Sequence, residues 1–289
     1  MMPANIPASL IFATQIYSAY AWGNLGHETV AYIAQNFVKS STESYFQDLL
    51  GDSSSSYLAS VSTWADTYKH TSEGSFSRPF HYIDAHDDPP TTCNVDYNRD
   101  CGDSGCLVSA IENYTNILLE KDHSTPQAVD ALKFIVHFLG DIHQPLHDES
   151  LDKGGNGINV TYKRAHTNLH HIWDTNMPEE DAGGHSLSTA QSWASILTTR
   201  IKSGQYFSNS SSWLDGIDVG DPVNSAMTWA RDANSYVCST VLKPGLDYLE
   251  ATDLSSSYYS NSKPVFEELI ARAGYRLAAW LDAIVLKNA

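Results

Sequence analysis

Apolar residues recur along most of this chain at the three- and four-residue spacing of a helix with one buried face. Val30, Ile33, Ala34 and Phe37 make one such stripe, and Leu107, Ile111, Tyr114, Ile117 and Leu118 make another. Further helices are predicted around residues 56–68, 187–203 and 223–241. Over residues 264–286, Phe266, Leu269, Ile270, Ala273, Leu277, Trp280, Leu281 and Ile284 keep helical spacing. Pro264 is placed in the first turn of that helix, where a missing N–H costs nothing. The segment 128–144 differs, because Val129, Leu132, Phe134, Ile135, Val136, Phe138, Leu139 and Ile142 surround the helix axis. Such a helix has to be buried, and Pro145 stops it. Residues 158–162 read as a short strand, while the Gly-, Asn- and Asp-rich stretches 87–105 and 152–157 read as connections. With no repeats and no sharp boundary, the expected fold is mainly α, a single helical domain with a few short strands and long loops.

Composition adjusts this picture at the N-terminus. The 289 residues are 42% hydrophobic, enough for a substantial core, and no apolar run spans a bilayer. Residues 6–16 form a modest apolar stretch, and Ala19-Tyr20-Ala21 is a small-x-small pattern suited to signal peptidase. The expectation is a secretion signal over 1–21 and a mature domain over 22–289, although the first 21 residues carry no Lys or Arg. Sequons at Asn113, Asn159 and Asn209 fit passage through a glycosylating compartment. Cys93, Cys101, Cys106 and Cys238 form an even set compatible with two disulfides, for which three connectivities exist. The glycines between Cys101 and Cys106 would let that pair close a short loop.

Charge removes one class of function. With 17 basic against 34 acidic side chains the formal net charge is −17, and loss of residues 1–21 would not change it. A general nucleic-acid binder needs clustered Lys and Arg to displace counterions, and no such stripe is evident. Any phosphate chemistry here requires positive charge from elsewhere, and bound divalent cations supply it.

The candidate ligands are spaced for that purpose. His137 and Asp141 lie at i and i+4 of the buried helix, on one face, and an ionised carboxylate there is costly unless it is paired or metal-bound. His147 follows, completing His-x3-Asp-x5-His. The i, i+4 pair recurs at His170 and Asp174. Asp66 in Trp-Ala-Asp, His81 in His-Tyr-Ile-Asp and His27 in Trp-Gly-Asn-Leu-Gly-His add further hard and borderline ligands beside aromatic residues.

Taken together, Trp-Gly-x2-Gly-His, Trp-Ala-Asp, His-Tyr-Ile-Asp, His-x2-Gly-Asp-x2-Gln-Pro-Leu-His and Asn-Leu-His-x2-Trp-Asp resemble, in order and spacing, the fungal single-strand-specific zinc nucleases of the S-one and P-one type, within the phospholipase C superfamily. The likeness runs from Trp22 to the last helix. It implies an endonuclease that cleaves single-stranded DNA and RNA, and 3′-nucleotides, to 5′-phosphate products with a metal-activated water. It also implies three zinc ions: one held by Asp66, His81, His137 and Asp141, a second by Asp141, His27 and the α-amine and carbonyl of Trp22, a third by His147, His170 and Asp174. By the same resemblance Lys69 neutralises charge on the reacting phosphate, Tyr82, Asp84 and Asn176 receive a base, and Cys93 pairs with Cys238 and Cys101 with Cys106. Some relatives carry Phe where this chain has Tyr82. A phospholipase C typically carries Glu where Asp174 stands here. No membrane or obligate protein partner is expected, and the chain is read as a monomer.

Overall fold

A computed structural model describes residues 22–120 and 125–288. The proposed signal over 1–21 lies outside them. Among the described residues the chain forms twelve α-helices and one two-stranded sheet, confirming a mainly α domain. In the first half these are α1 (Asn24–Gln35), α2 (Ser40–Leu50), α3 (Trp64–Tyr68), α4 (Tyr97–Asp100), α5 (Leu107–Leu119) and α6 (Pro126–Asp141). The strands β1 (Asn159–Tyr162) and β2 (Ala165–Asn168) follow. The second half holds α7 (Leu169–His171), α8 (Met177–Ala182), α9 (Leu187–Ser203), α10 (Pro222–Tyr236), α11 (Leu246–Ala251) and α12 (Ser257–Asn288).

The centre of the molecule is α6, and its sequence explains why. Thr125 caps the helix by accepting from the Ala128 N–H, Pro126 occupies the first turn, and Leu132, Ile135, Val136, Phe138 and Leu139 are fully or almost fully buried. It packs against α5, α12, α3 and α1. The helix ends at Asp141 rather than running to Pro145; residues 142–144 turn, and Pro145–Asp148 form a single 3₁₀ turn. Proline disfavours helical backbone in the residue before it, which moves the end upstream. That early end lets His147 swing back toward Asp141 instead of continuing along the axis.

The C-terminal helix also departs from its sequence reading. It starts at Ser257, so Pro264 is internal and deprives the Ser260 carbonyl of a helical donor. Burial of Tyr258 compensates: its hydroxyl donates to the Val241 carbonyl and accepts from the Trp173 indole N–H at 2.7 Å. Farther along, α12 approaches α1 so closely that a Cβ on Gly274 would lie 2.5 Å from Ile33 Cβ. Only glycine permits that contact.

One buried polar network and two disulfides tie distant segments together. Arg276 on α12 donates to the Trp213 carbonyl at 2.8 Å and to His143 Nε2 at 2.9 Å, and it pairs with Asp232 on α10. His143 is therefore a satisfied core residue beside the centre. Cys93 is bonded to Cys238 and Cys101 to Cys106, as the family resemblance implied. The first bridge pins the 87–105 connection to the turn that follows α10. The helices expected at 187–203 and 223–241 are present, the second finishing in a wide π turn over Val237–Val241. Residues 56–68 hold a 3₁₀ turn and the short α3 instead of one helix. β1 is the strand expected at 158–162; its partner β2 had no sequence signal.

Candidate metal centre

Five segments far apart in sequence deliver the candidate ligands. α1 brings His27, α3 brings Asp66, the 3₁₀ turn Ser75–His81 brings His81, α6 and the 3₁₀ turn Pro145–Asp148 after it bring His137, Asp141 and His147, and α7 with the π turn Ile172–Asn176 brings His170 and Asp174. All eight residues are buried, none more than 5% exposed. They form three sets whose ligand atoms converge: His27, His137 and Asp141; Asp66, His81 and His137; and His147, His170 and Asp174. Asp141 and His137 join the first two sets into one cluster.

Separations within that cluster match a small coordination sphere. His27 Nε2 is 3.2 Å from Asp141 Oδ1, His81 Nδ1 is 3.0 Å from Asp141 Oδ2, and His137 Nε2 is 3.4 Å from the same oxygen. His137 Nε2 also lies 3.2 Å from His81 Nδ1 and 3.6 Å from Asp66 Oδ1. Four donors around one ion at roughly 2.0–2.1 Å sit about 3.3 Å apart, the edge of such a tetrahedron. In the other set, His170 Nε2 is 3.1 Å from His147 Nε2 and 3.0 Å from Asp174 Oδ2, while His147 Nε2 is 4.0 Å from Asp174 Oδ1.

The surrounding backbone fixes which nitrogen faces inward. His137 Nδ1 donates to the Ser62 carbonyl at 2.7 Å, His147 Nδ1 to the His81 carbonyl at 2.6 Å and His170 Nδ1 to the Gly154 carbonyl at 2.6 Å. A carbonyl only accepts, so in each ring the proton is on Nδ1 and the Nε2 lone pair points at the centre. Gln144 plays the same part for a carboxylate, donating to Asp174 Oδ1 at 2.6 Å. His27 stacks on His137 with ring centroids 3.9 Å apart. This stacking needs Gly140, where a Cβ would lie 2.7 Å from His27 Nδ1.

Electrostatics favours the ligand-competent forms. Burial lowers His27 and His147, and brings His81 down to about 4. Burial works to raise the Asp141 and Asp66 carboxyls, but the surrounding charges, His137 foremost, outweigh it and hold both below the usual carboxylate range. For His137 and His170 the sign reverses. Burial opposes their protonation, but nearby carboxylates, Asp141 for the first and Asp174 for the second, raise both. A bound cation would take the place of those protons.

The centre opens into a cleft of about 630 Å³ lined by His81, His147 and His170 together with Lys69, Tyr82, Asp84 and Asn156. Lys69 is only 8% exposed, and its ammonium is 2.6 Å from Asp66 Oδ1. Tyr82 is 40% exposed, and burial pushes the Asp84 carboxyl up. Asn176 does not line this cleft: it sits half-buried in the π turn Ile172–Asn176, and Asn156 lines the cleft instead. Trp22 is fully buried and lies against Gly26, one residue from His27. Sequence reasoning assigned no role to Ser62, Gly140, Gln144 or Gly154. Gly140 and Gln144 stand inside His-x2-Gly-Asp-x2-Gln-Pro-Leu-His, which marks the positions but not what they touch.

With this geometry in place, comparison with known proteins is direct. A family model described as S1/P1 nuclease matches residues 22–286. The chain is 65% identical over 283 residues to Nuclease S1 of Aspergillus oryzae, covering 98% of both chains. It is 50% identical to Nuclease P1 of Penicillium citrinum, covering 91% of this chain and 97% of that one, and 33% identical to Endonuclease 4 of Arabidopsis thaliana, covering 95% and 93%. The buried His and Asp sets fit a multi-metal centre in such an enzyme. The chain belongs to the S1/P1 nuclease family and is a nuclease.

Proposed function

We propose that this protein is a secreted, monomeric endonuclease that hydrolyses phosphodiester bonds in single-stranded DNA and RNA to 5′-phosphate products, acts on 3′-nucleotides as well, and uses three zinc ions. The supporting observation is the set of buried atoms that face one another without hydrogen bonds. Asp66 Oδ2, Asp141 Oδ1, Asp174 Oδ2 and both ring nitrogens of His27 have none. Burying ionised carboxylate oxygens that are neighboured by imidazoles but make no hydrogen bond is costly, and cations at these points would remove the cost. Mixed imidazole and carboxylate donors in a compact sphere suit zinc. Asp66, His81, His137 and Asp141 would hold one ion; Asp141, His27 and the amine and carbonyl of Trp22 a second; His147, His170 and Asp174 the third.

Bound zinc supplies Lewis-acid stabilisation and a water acidified for attack at neutral pH. The chain's own groups do the rest. Asp141, between His27 on one side and His81 and His137 on the other, holds the two neighbouring sites in register. Lys69, steadied by Asp66 at the edge of the cleft, offsets the charge that grows on the phosphate oxygens. Tyr82 offers a flat face to a base while Asp84 accepts from the base edge. Stacking of this kind is open only to an unpaired nucleotide, which accounts for single-strand preference. Cleavage after Ala21 would free the Trp22 amine, so secretion and metal binding are linked. The sequon residues Asn113, Asn159 and Asn209 are all exposed, as glycan acceptors must be.

The test combines intact mass, metal content and substrate choice on the secreted full chain. The expected result is an N-terminus at Trp22, three zinc ions per chain, and release of acid-soluble nucleotides from denatured DNA and RNA well above that from duplex. Phosphocholine release from lecithin without nucleotide release would overturn the reading, as would full activity in protein that retains residues 1–21.

A further inference from the structure

We propose that Arg78 and Lys153 hold the non-scissile phosphates of an oligonucleotide, extending the site beyond the one phosphate that reacts. The inference rests on the nuclease reading above and addresses how so acidic a chain, at −17, retains a polyanion. Much of its basic charge is committed: Lys69 to Asp66, Arg99 to Asp100, Arg200 to Glu267, and Arg272 to Asp232 and Glu268. Arg78 and Lys153 are exposed and pair with no carboxylate among the described residues, yet both line the cleft that holds His81, His147 and His170.

Each stands beside a different part of the centre. Arg78 lies three residues before His81 in the same 3₁₀ turn, and its Nε donates to the Lys69 carbonyl at 3.1 Å. That bond ties the guanidinium to the segment bearing Asp66 and leaves both terminal NH₂ groups for a phosphate, which a guanidinium grips through two parallel bonds. Lys153 immediately precedes Gly154, whose carbonyl orients His170. One unpaired cation thus flanks each metal group. A second hollow of about 270 Å³ shares Tyr82 and Asp84 with the main cleft and reaches Pro79, so a chain held at Arg78 has room to continue.

A 3′-mononucleotide carries no phosphate to place at either residue, which supplies the discriminating experiment. Arg78→Ala and Lys153→Ala are assayed on a short single-stranded oligonucleotide and on a 3′-mononucleotide over a range of salt, with Lys39→Ala as an equal loss of charge elsewhere. Each cleft variant is expected to raise KM for the oligonucleotide about 5- to 10-fold with a distinctly smaller loss on the mononucleotide. The slope of log kcat/KM against log salt should become shallower by about 0.7 per contact. Lys39→Ala should follow the wild type. Equal losses on both substrates, or an unchanged salt slope, would overturn the proposal. A wild-type protein inert on both would overturn the functional reading and take this inference with it.

Discussion

Asp141 shows how much one residue settles. It is fully buried, and His27, His81 and His137 all lie within 3.4 Å of its oxygens. Asp141→Asn keeps the shape but swaps an acceptor oxygen for an NH₂ that faces imidazole lone pairs, and it removes the charge that two neighbouring cations would share. Weakening a partner outside the ligand set typically costs 10- to 100-fold, so losing this ligand should cost at least on the order of 100-fold in activity together with bound metal. Full metal content with wild-type rates in the variant would show that Asp141 bridges nothing. The closeness of His137 and Asp141 was legible in sequence because helical spacing alone puts i and i+4 on one face. The partners of Gln144 and of the Ser62 carbonyl were not, since a motif marks a position but not a hydrogen bond made across 30 or 75 residues.

At the scale of elements, the β1–β2 hairpin shows why half of the sheet went unread. Its turn is Lys163-Arg164, both in left-handed backbone at φ of 49° and 66°, where Asn-Gly would be the usual signal. The turn is imposed from outside. Asp253, in the connection between α11 and α12, accepts from the Lys163 and Arg164 N–H groups at 3.0 and 2.8 Å and from the Ser255 N–H and hydroxyl. These bonds, the Ser255 hydroxyl first, draw its carboxyl from an ordinary 3.8 down to about 2. A carboxyl lowered on folding stabilises fully above its unfolded value and loses that effect as pH falls toward its folded one. Asp253→Ala should therefore lower stability by about 1–2 kcal/mol at neutral pH, and the gap from wild type should close between about pH 4 and pH 2. Denaturant melts at a series of pH values check this; a gap that widened on acidification would refute it. α12 makes a related point, since its apolar spacing was readable but the early start at Ser257 depends on the long-range partners of Tyr258.

For the whole molecule, the centre joins α1, α3, α6 and the turns around His81, His147 and His170. Cations bound there would act as cross-links between segments more than a hundred residues apart. Chelation should therefore lower the melting temperature as well as abolish activity, because it leaves a buried group of mutually facing lone pairs and carboxylates. A single ion at 100 times its dissociation constant contributes about 2.7 kcal/mol, which corresponds to a drop of roughly 5–10 °C. Zinc should restore both readouts. Loss of activity with no change in melting would place the ions at the surface instead of inside the fold.

The sequence by itself determined the helical class, the buried character of α6 and the placing of His137 with Asp141, and His170 with Asp174, one helical turn apart, because these follow from short-range periodicity; His27, Asp66 and His81 were assigned as ligands by the family resemblance. The tertiary structure alone decided that these side chains converge in buried sets, which ring nitrogen faces inward, that Asn156 and not Asn176 lines the cleft, and that Arg78 and Lys153 stand over it with no carboxylate partner among the described residues. These depend on where α6 ends and on main-chain carbonyls brought in from distant segments, and packing of the whole chain fixes both.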